Sequence, residues 1–340
     1  MDIRKSTLSV AIAALMSVGM VGQAAAYTSA GSKIEYQNLD IEILDGTTEI
    51  FGSVTSFNFT STSQALLNGS SSADTKTCGG FPGIPTGGFL PNDCNATTPR
   101  LDAALSEEGA SVHIPNSFEL DGPNQGSEYS YADSAITTAQ LTFDASTSAG
   151  VIGETELLST GSGTSNASIT SNTGFMFEFT ITDSGTFNLQ FDANPEAYAE
   201  SNNPGSILAL ADSSIQMTVE LVQDDGDGLA IWAPDGPTGL DGCNELDGGL
   251  VCTELADEES LNTKAGTGSD PASDRFSPDE IFSFFQVSIS GLAAGDWALT
   301  FTTSAENAVR KVQVPEPGIM LLLGMGLAGL GVARRRTKKA

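Results

Sequence analysis

Apolar side chains return at every second position along much of this chain, and that spacing dictates β-structure. Phe175, Phe177, Phe179 and Ile181 alternate with mostly polar neighbours, as do Phe187, Leu189 and Phe191 with Asn188 and Gln190 between them. Ile215, Met217, Val219 and Leu221 repeat the pattern, then Phe285, Val287 and Ile289, then Trp297, Leu299 and Phe301. Earlier runs lie at 34–44, 51–60 and 135–143. Successive side chains of a strand face opposite ways, so a period of two gathers the apolar groups on one face. No window of comparable length holds helical spacing, apart from the last residues. The expectation is an all-β chain, an antiparallel β-sandwich of jelly-roll-like character over residues 27–313, long enough to bury a substantial two-sheet core. Asp183-Ser184-Gly185 and the span 291–296 read as turns. They would make two similar hairpins, 177–191 and 285–301.

The two ends follow other rules. Arg4-Lys5 precedes a mostly apolar stretch, Leu8 to Val21, and Ala24-Ala25-Ala26 supplies a small-residue cleavage site. That is the layout of a secretory signal peptide over residues 1–26, with the mature chain starting at Tyr27. At the other end Val314-Pro315-Glu316-Pro317-Gly318 leads into the apolar run Ile319 to Ala333 and closes on Arg334-Arg335-Arg336-Thr337-Lys338-Lys339-Ala340. An apolar run backed by cations can halt in a bilayer with the basic end on the cytoplasmic side. It is short of the ~20 helical residues that a full span takes, which suits a sorting tail. This end resembles the PEP-CTERM sorting signal of Gram-negative bacteria. The resemblance implies that an exosortase, a membrane protease-transpeptidase, recognises Pro315, Glu316 and Pro317 and removes the tail. The apolar helix would present the motif at the inner membrane, and Arg334, Arg335 and Arg336 would fix its topology. It also implies delivery to the cell surface and association with exopolysaccharide or biofilm matrix. Residues 314–340 are therefore read as a sorting and transmembrane tail.

Within residues 27–313, three stretches lack strand patterning: 70–100, 144–173 and 223–275. The first and last each hold a pair of cysteines. An even count in an exported chain reads as disulfides, and clustering favours Cys78–Cys94 and Cys243–Cys252 among the three possible connectivities. Neither pair has CxxC spacing, so both read as staples on long loops. Loops of this length are where recognition is expected.

Charge narrows the partners. The chain carries a formal net charge of −29, from 14 Lys and Arg against 43 Asp and Glu. Half of those cations sit in the two targeting ends, whereas only Asp2 and Glu316 of the acids do, so the middle is more acidic still. Such a surface repels phosphate backbones, which argues against nucleic acid. Catalytic constellations are sparse. His113 is the one histidine, which excludes multi-histidine zinc sites. No GxSxG elbow or P-loop occurs, and the single GxGxxG, Gly324 to Gly329, lies inside the apolar tail where no strand precedes it. No catalytic residue is assigned, and the chain is read as a non-enzyme.

One cluster looks like a site. Asp224, Asp225 and Asp227 sit on a Gly-containing turn and offer hard oxygen ligands suited to a weak extracellular Ca²⁺ site. The order departs from an EF-hand, and Asp-Gly is also ordinary turn chemistry. Trp232 stands next to it, either as an aromatic platform for a sugar ring or as a core residue, the better reading. The leading function is thus a non-catalytic, exosortase-sorted surface or matrix protein without a required cofactor. The alternative is a calcium-assisted carbohydrate-binding module or adhesin using the Asp224–Asp247 loop. A polysaccharide-cleaving enzyme, needing only two carboxyl groups ~5–9.5 Å apart, is the third and weakest.

Overall fold

The structure, a computed structural model, describes residues 26–49, 57–80, 94–97, 101–102, 118–137, 148–170, 177–202, 207–224, 228–237, 242–267, 272–277 and 282–313. The expected signal peptide, Ala26 excepted, and the expected sorting and transmembrane tail, 314–340, lie outside these residues. Among those described, no helix is long and apolar enough to cross a membrane.

Every pairing is antiparallel, with strands numbered in chain order. One layer runs β7 (Tyr129–Thr137), β8 (Ser148–Leu157), β1 (Tyr27–Asp45), β10 (Phe177–Asn202), the first half of β17 (Ser283–Gln313), then β14 (Val251–Asp257). The facing layer runs β4 (Ser70–Gly80), β3 (Phe57–Leu67), β9 (Gly161–Thr170), the second half of β17, then β11 (Ile207–Gln223). The far edge of β11 is shared by β12 (Leu229–Trp232) and β15 (Thr263–Gly266). Short strands β2 (Thr48–Glu49), β5 (Cys94–Thr97), β6 (Leu101–Asp102), β13 (Cys243–Asp247) and β16 (Ala272–Phe276) extend the edges. The all-β, sandwich-like expectation holds, with one change. Strand β17 serves both layers, so a single sheet curls over its own apolar face.

The large apolar side chains meet between the layers at one end. Phe187, Leu189 and Phe191 of β10 face Ile215, Met217, Val219 and Leu221 of β11 in one buried cluster with Phe285, Val287 and Ile289. Phe191 stacks on Phe285 with ring centroids 5.2 Å apart, and Tyr36 meets Phe191 and Phe301 edge-on. Each such side chain contributes roughly 1.5–3 kcal/mol through burial.

Two expectations about this region are corrected. Neither 183–185 nor 291–296 reverses the chain. Strands β10 and β17 run through both and pair with each other, Phe177 opposite Leu299 and Phe187 opposite Ile289. The register shifts between Ile181 and Ser184 absorb the irregularity as a bulge. The odd-numbered positions stay buried on both sides of each irregular point, as one bent strand requires.

The stretches without strand patterning also contain strands: β4 and β5 in the expected loop 70–100, β8 and β9 within 144–173, which left a flexible link or a poorly patterned edge open, and β12 to β16 in and just beyond the expected loop 223–275. The physical reason is clearest in β8 and β9. Their central inward positions are Gly153, Thr155, Gly163 and Ser165, too small and polar to carry an apolar alternation between Val151 and Leu157 of β8. Here the layers approach closely and hydrogen-bond across the gap. Asn307 Nδ2 donates to Gly153 O at 2.8 Å, Ser130 Oγ to Thr164 O at 2.8 Å, and Ser61 Oγ to Ser134 O at 2.8 Å. One end of the interlayer space is therefore apolar and the other a hydrogen-bonded Ser/Gly/Asn lattice.

Candidate functional site

The acidic loop turns out to be a braced edge. Trp232 ends β12 and is fully buried, 6.0 Å from the Phe191 ring, and its indole N–H donates to Glu254 Oε1 at 2.6 Å. The ring is a core member and offers no face to a sugar. Glu254 Oε2 accepts from the Gly242 amide at 3.2 Å, and Asp257 Oδ2 accepts from the Asp235 and Gly236 amides at 3.0 and 2.7 Å. Burial pushes the Asp257 carboxyl up to about 6, against the pull of those amides. Cys243 and Cys252 are joined, tying β13 to β14. Asp224 is exposed in the turn after β11, its amide bonded to Asp296 O at 2.9 Å. Asp225 and Asp227 lie outside the described residues, as do the side chains of Cys78 and Cys94. No group of three or more His, Cys, Asp or Glu suited to a metal occurs among the described residues.

A second set of buried acids holds a strap across the outer face of the first layer. Glu154 on β8 is fully buried and accepts the amides of Asp121 and Gly122 at 2.9 and 2.8 Å and the Tyr131 hydroxyl at 2.6 Å, with the Tyr198 hydroxyl on its other side. Burial pushes its carboxyl up to about 7 even though these donors pull it down. Glu156 takes the Gln125 amide at 3.1 Å, and Glu128 the Leu158 amide at 3.1 Å. These carboxylates end backbone segments that have no strand partner.

The opposite outer face carries an open cleft of about 490 Å³ over β9, β17, β11 and β15. Outward side chains line it because the inward neighbours Ser165, Asn307, Ser213 and Ala265 are all buried. Its polar lining includes the outward-facing Asn166, Asp212, Ser214, Lys264 and Glu306. Sequence reading missed all five. They stand on four strands far apart in the chain and meet only through pairing, so no local spacing marks them as one site.

The last geometric feature is the way out. Strand β17 runs from the core to Gln313, paired along its final residues with Ile207 to Ala211 of β11. Near its end Lys311, buried, donates to the carbonyls of Ala26 at 3.0 Å and Leu158 at 2.7 Å. The start of β1 and the end of β17 thus lie together. The PEP-CTERM protein-sorting motif matches residues 313–336. The chain carries a PEP-CTERM tail. Such a tail implies an exported, cell-surface-associated protein sorted through an exosortase. The motif begins at the residue where β17 ends, so the tail leaves directly from a strand shared by both layers. Pro315, Glu316, Pro317, Arg334, Arg335 and Arg336 fall within the match and outside the described residues. No curated protein and no solved structure matches the chain.

Proposed function

We propose that this PEP-CTERM protein is a non-catalytic component of the cell surface, released from its tail by an exosortase and retained in extracellular polysaccharide. The observation that carries this reading is the sorting motif joined without a spacer to β17. The buried carboxylates support it: Glu154, Glu254 and Asp257 are engaged with backbone amides and aromatic donors, a structural use of groups that an acid–base enzyme would direct at a substrate. The test is fractionation of cells with and without exosortase. The reading predicts protein in the matrix fraction of the first and tailed protein in the inner membrane of the second. Identical fractionation in both would overturn it.

Carbohydrate recognition is the second reading. The open polar cleft on the second layer favours it, at a place other than the loop around Trp232. A reducing-end assay on matrix polysaccharide separates binding from cleavage, and sugar release by the purified mature protein would contradict the non-catalytic assignment.

A further inference from the structure

The cleft has an order that its residue composition hides. Asn166 on β9 is register-paired with Glu306 on β17, Glu306 with Ser214 on β11, and Ser214 with Lys264 on β15. These four side chains make one straight polar row across four strands. The adjacent row is Thr164, Ala308, Asp212 and Gly266, in the same register. It is small except for Asp212, and it forms a shelf beside the polar row. At the ~4.7–4.9 Å spacing of neighbouring strands, the polar row is about 14 Å long.

We infer that this row binds an extended neutral polysaccharide laid across the strands, with successive sugar units over successive strands. The inference rests on the proposed retention in matrix polysaccharide and assigns it a site. Three observations carry it. First, Asn166, Asp212, Ser214, Lys264 and Glu306 make no side-chain hydrogen bond or ion pair with one another or with other described residues, so their bonding capacity faces the cleft. Second, the chemistry is mixed in the way sugar hydroxyls need. Carboxylates accept from hydroxyl pairs, the Lys264 ammonium donates, and the Asn166 amide and Ser214 hydroxyl do both. Third, the strand spacing approximates the advance of a pyranose chain, so one polar residue per strand meets one sugar per strand.

Charge selects among glycans. Asp212 and Glu306 outnumber Lys264, and the chain as a whole is at −29, so uronate-bearing polymers are repelled and uncharged ones are not. A peptide ligand would need the apolar side-chain pockets that this polar lining lacks. Gly266 keeps the shelf open. A Cβ there would stand 3.0 Å from Asp212 Oδ1, at a backbone conformation that any residue adopts.

The experiment is affinity electrophoresis of the mature protein, purified from its own cells, through gels containing dextran, mannan or laminarin, with alginate as the uronate control. Retardation by at least one neutral glycan and none by alginate is expected. Asp212→Asn combined with Glu306→Gln should weaken retention about tenfold or more, the scale of losing a charged hydrogen bond. Gly266→Leu, which fills the shelf from an exposed position, should do the same. Unfolding curves matching the parent establish that both variants are folded. Retention unchanged in both variants would overturn the site while leaving matrix association intact. No retardation in any neutral gel, or preference for alginate, would overturn the glycan assignment itself.

Discussion

The Lys311 ammonium donates a 3.0 Å hydrogen bond to the carbonyl oxygen of Ala26, across 285 positions of sequence. One partner is the residue after which signal cleavage is expected. The other lies two residues before the end of the strand that runs into the sorting motif. The two ends expected to be processed therefore lie at one pole.

Replacing Lys311 tests how much its pairing contributes. Lys311→Met keeps the aliphatic stem but removes the donor to Leu158, the partner that remains once the chain starts at Tyr27. The part-buried Leu158 carbonyl left unpaired costs about 1 kcal/mol or more. Urea unfolding should show a loss of that order, and a midpoint equal to the parent would contradict the assigned bond.

Glu154 makes stability depend on pH in an unusual direction. Its folded carboxyl is raised to about 7 from an ordinary 4.5, chiefly by burial. The native state then holds a proton that the unfolded chain releases. This contribution is full below about 4.5, falls as pH rises, and is lost above 7, with an amplitude of roughly 3 kcal/mol. Asp257, raised to about 6, acts in the same sense. Glu154→Gln lowers stability overall, because its amide group faces backbone donors, but it should flatten the slope between pH 4.5 and 7. A slope identical to the parent would show that Glu154 does not titrate there.

The close approach of the layers has its own probe. A Cβ on Gly153 would lie 2.9 Å from Asn307 Nδ2 and from Ser165 Oγ, and 3.2 Å from the Ser165 carbonyl. Gly153→Ala should therefore force β8 away from β9 and β17 and cost about 1–3 kcal/mol. Urea titration measures it, and a neutral result would mean that the layers stand farther apart.

The disulfide between Cys243 and Cys252 closes a short loop. Its loss, as Cys243→Ser with Cys252→Ser, should cost about 2–3 kcal/mol in the chain-entropy account. Both tryptophans, Trp232 and Trp297, are buried, so intrinsic fluorescence follows the transition directly. An unchanged melting temperature in the double variant would show that the hydrogen bonds of Glu254 and Asp257 hold this edge unaided.

Legibility in the sequence tracked side-chain size. The Phe, Ile, Leu and Val alternation of β10, β11 and β17 announced the core because large apolar groups signal their face unambiguously. The two supposed hairpins misled because Asp-Ser-Gly reads as a turn. Yet Phe179 and Ile181 before it and Phe187 after it keep the same odd phase, and that continuity is the mark of one strand with a bulge. Strands β8 and β9 stayed hidden because Gly153, Gly163 and Ser165 fill the inward positions. Trp232 and Glu254 meet only through folding, as do the four residues of the polar row, and no spacing rule reaches across such separations. The sorting tail was legible because its meaning resides in local sequence alone.

Export, sorting and release together fix one quantity, the intact mass of the protein from its own cells, with surface and inner-membrane fractions measured separately. The expected result is a surface form that starts at Tyr27 and ends near Pro315, free of the Arg334 to Ala340 cluster. A single form that keeps that cluster and stays in the inner membrane would contradict it.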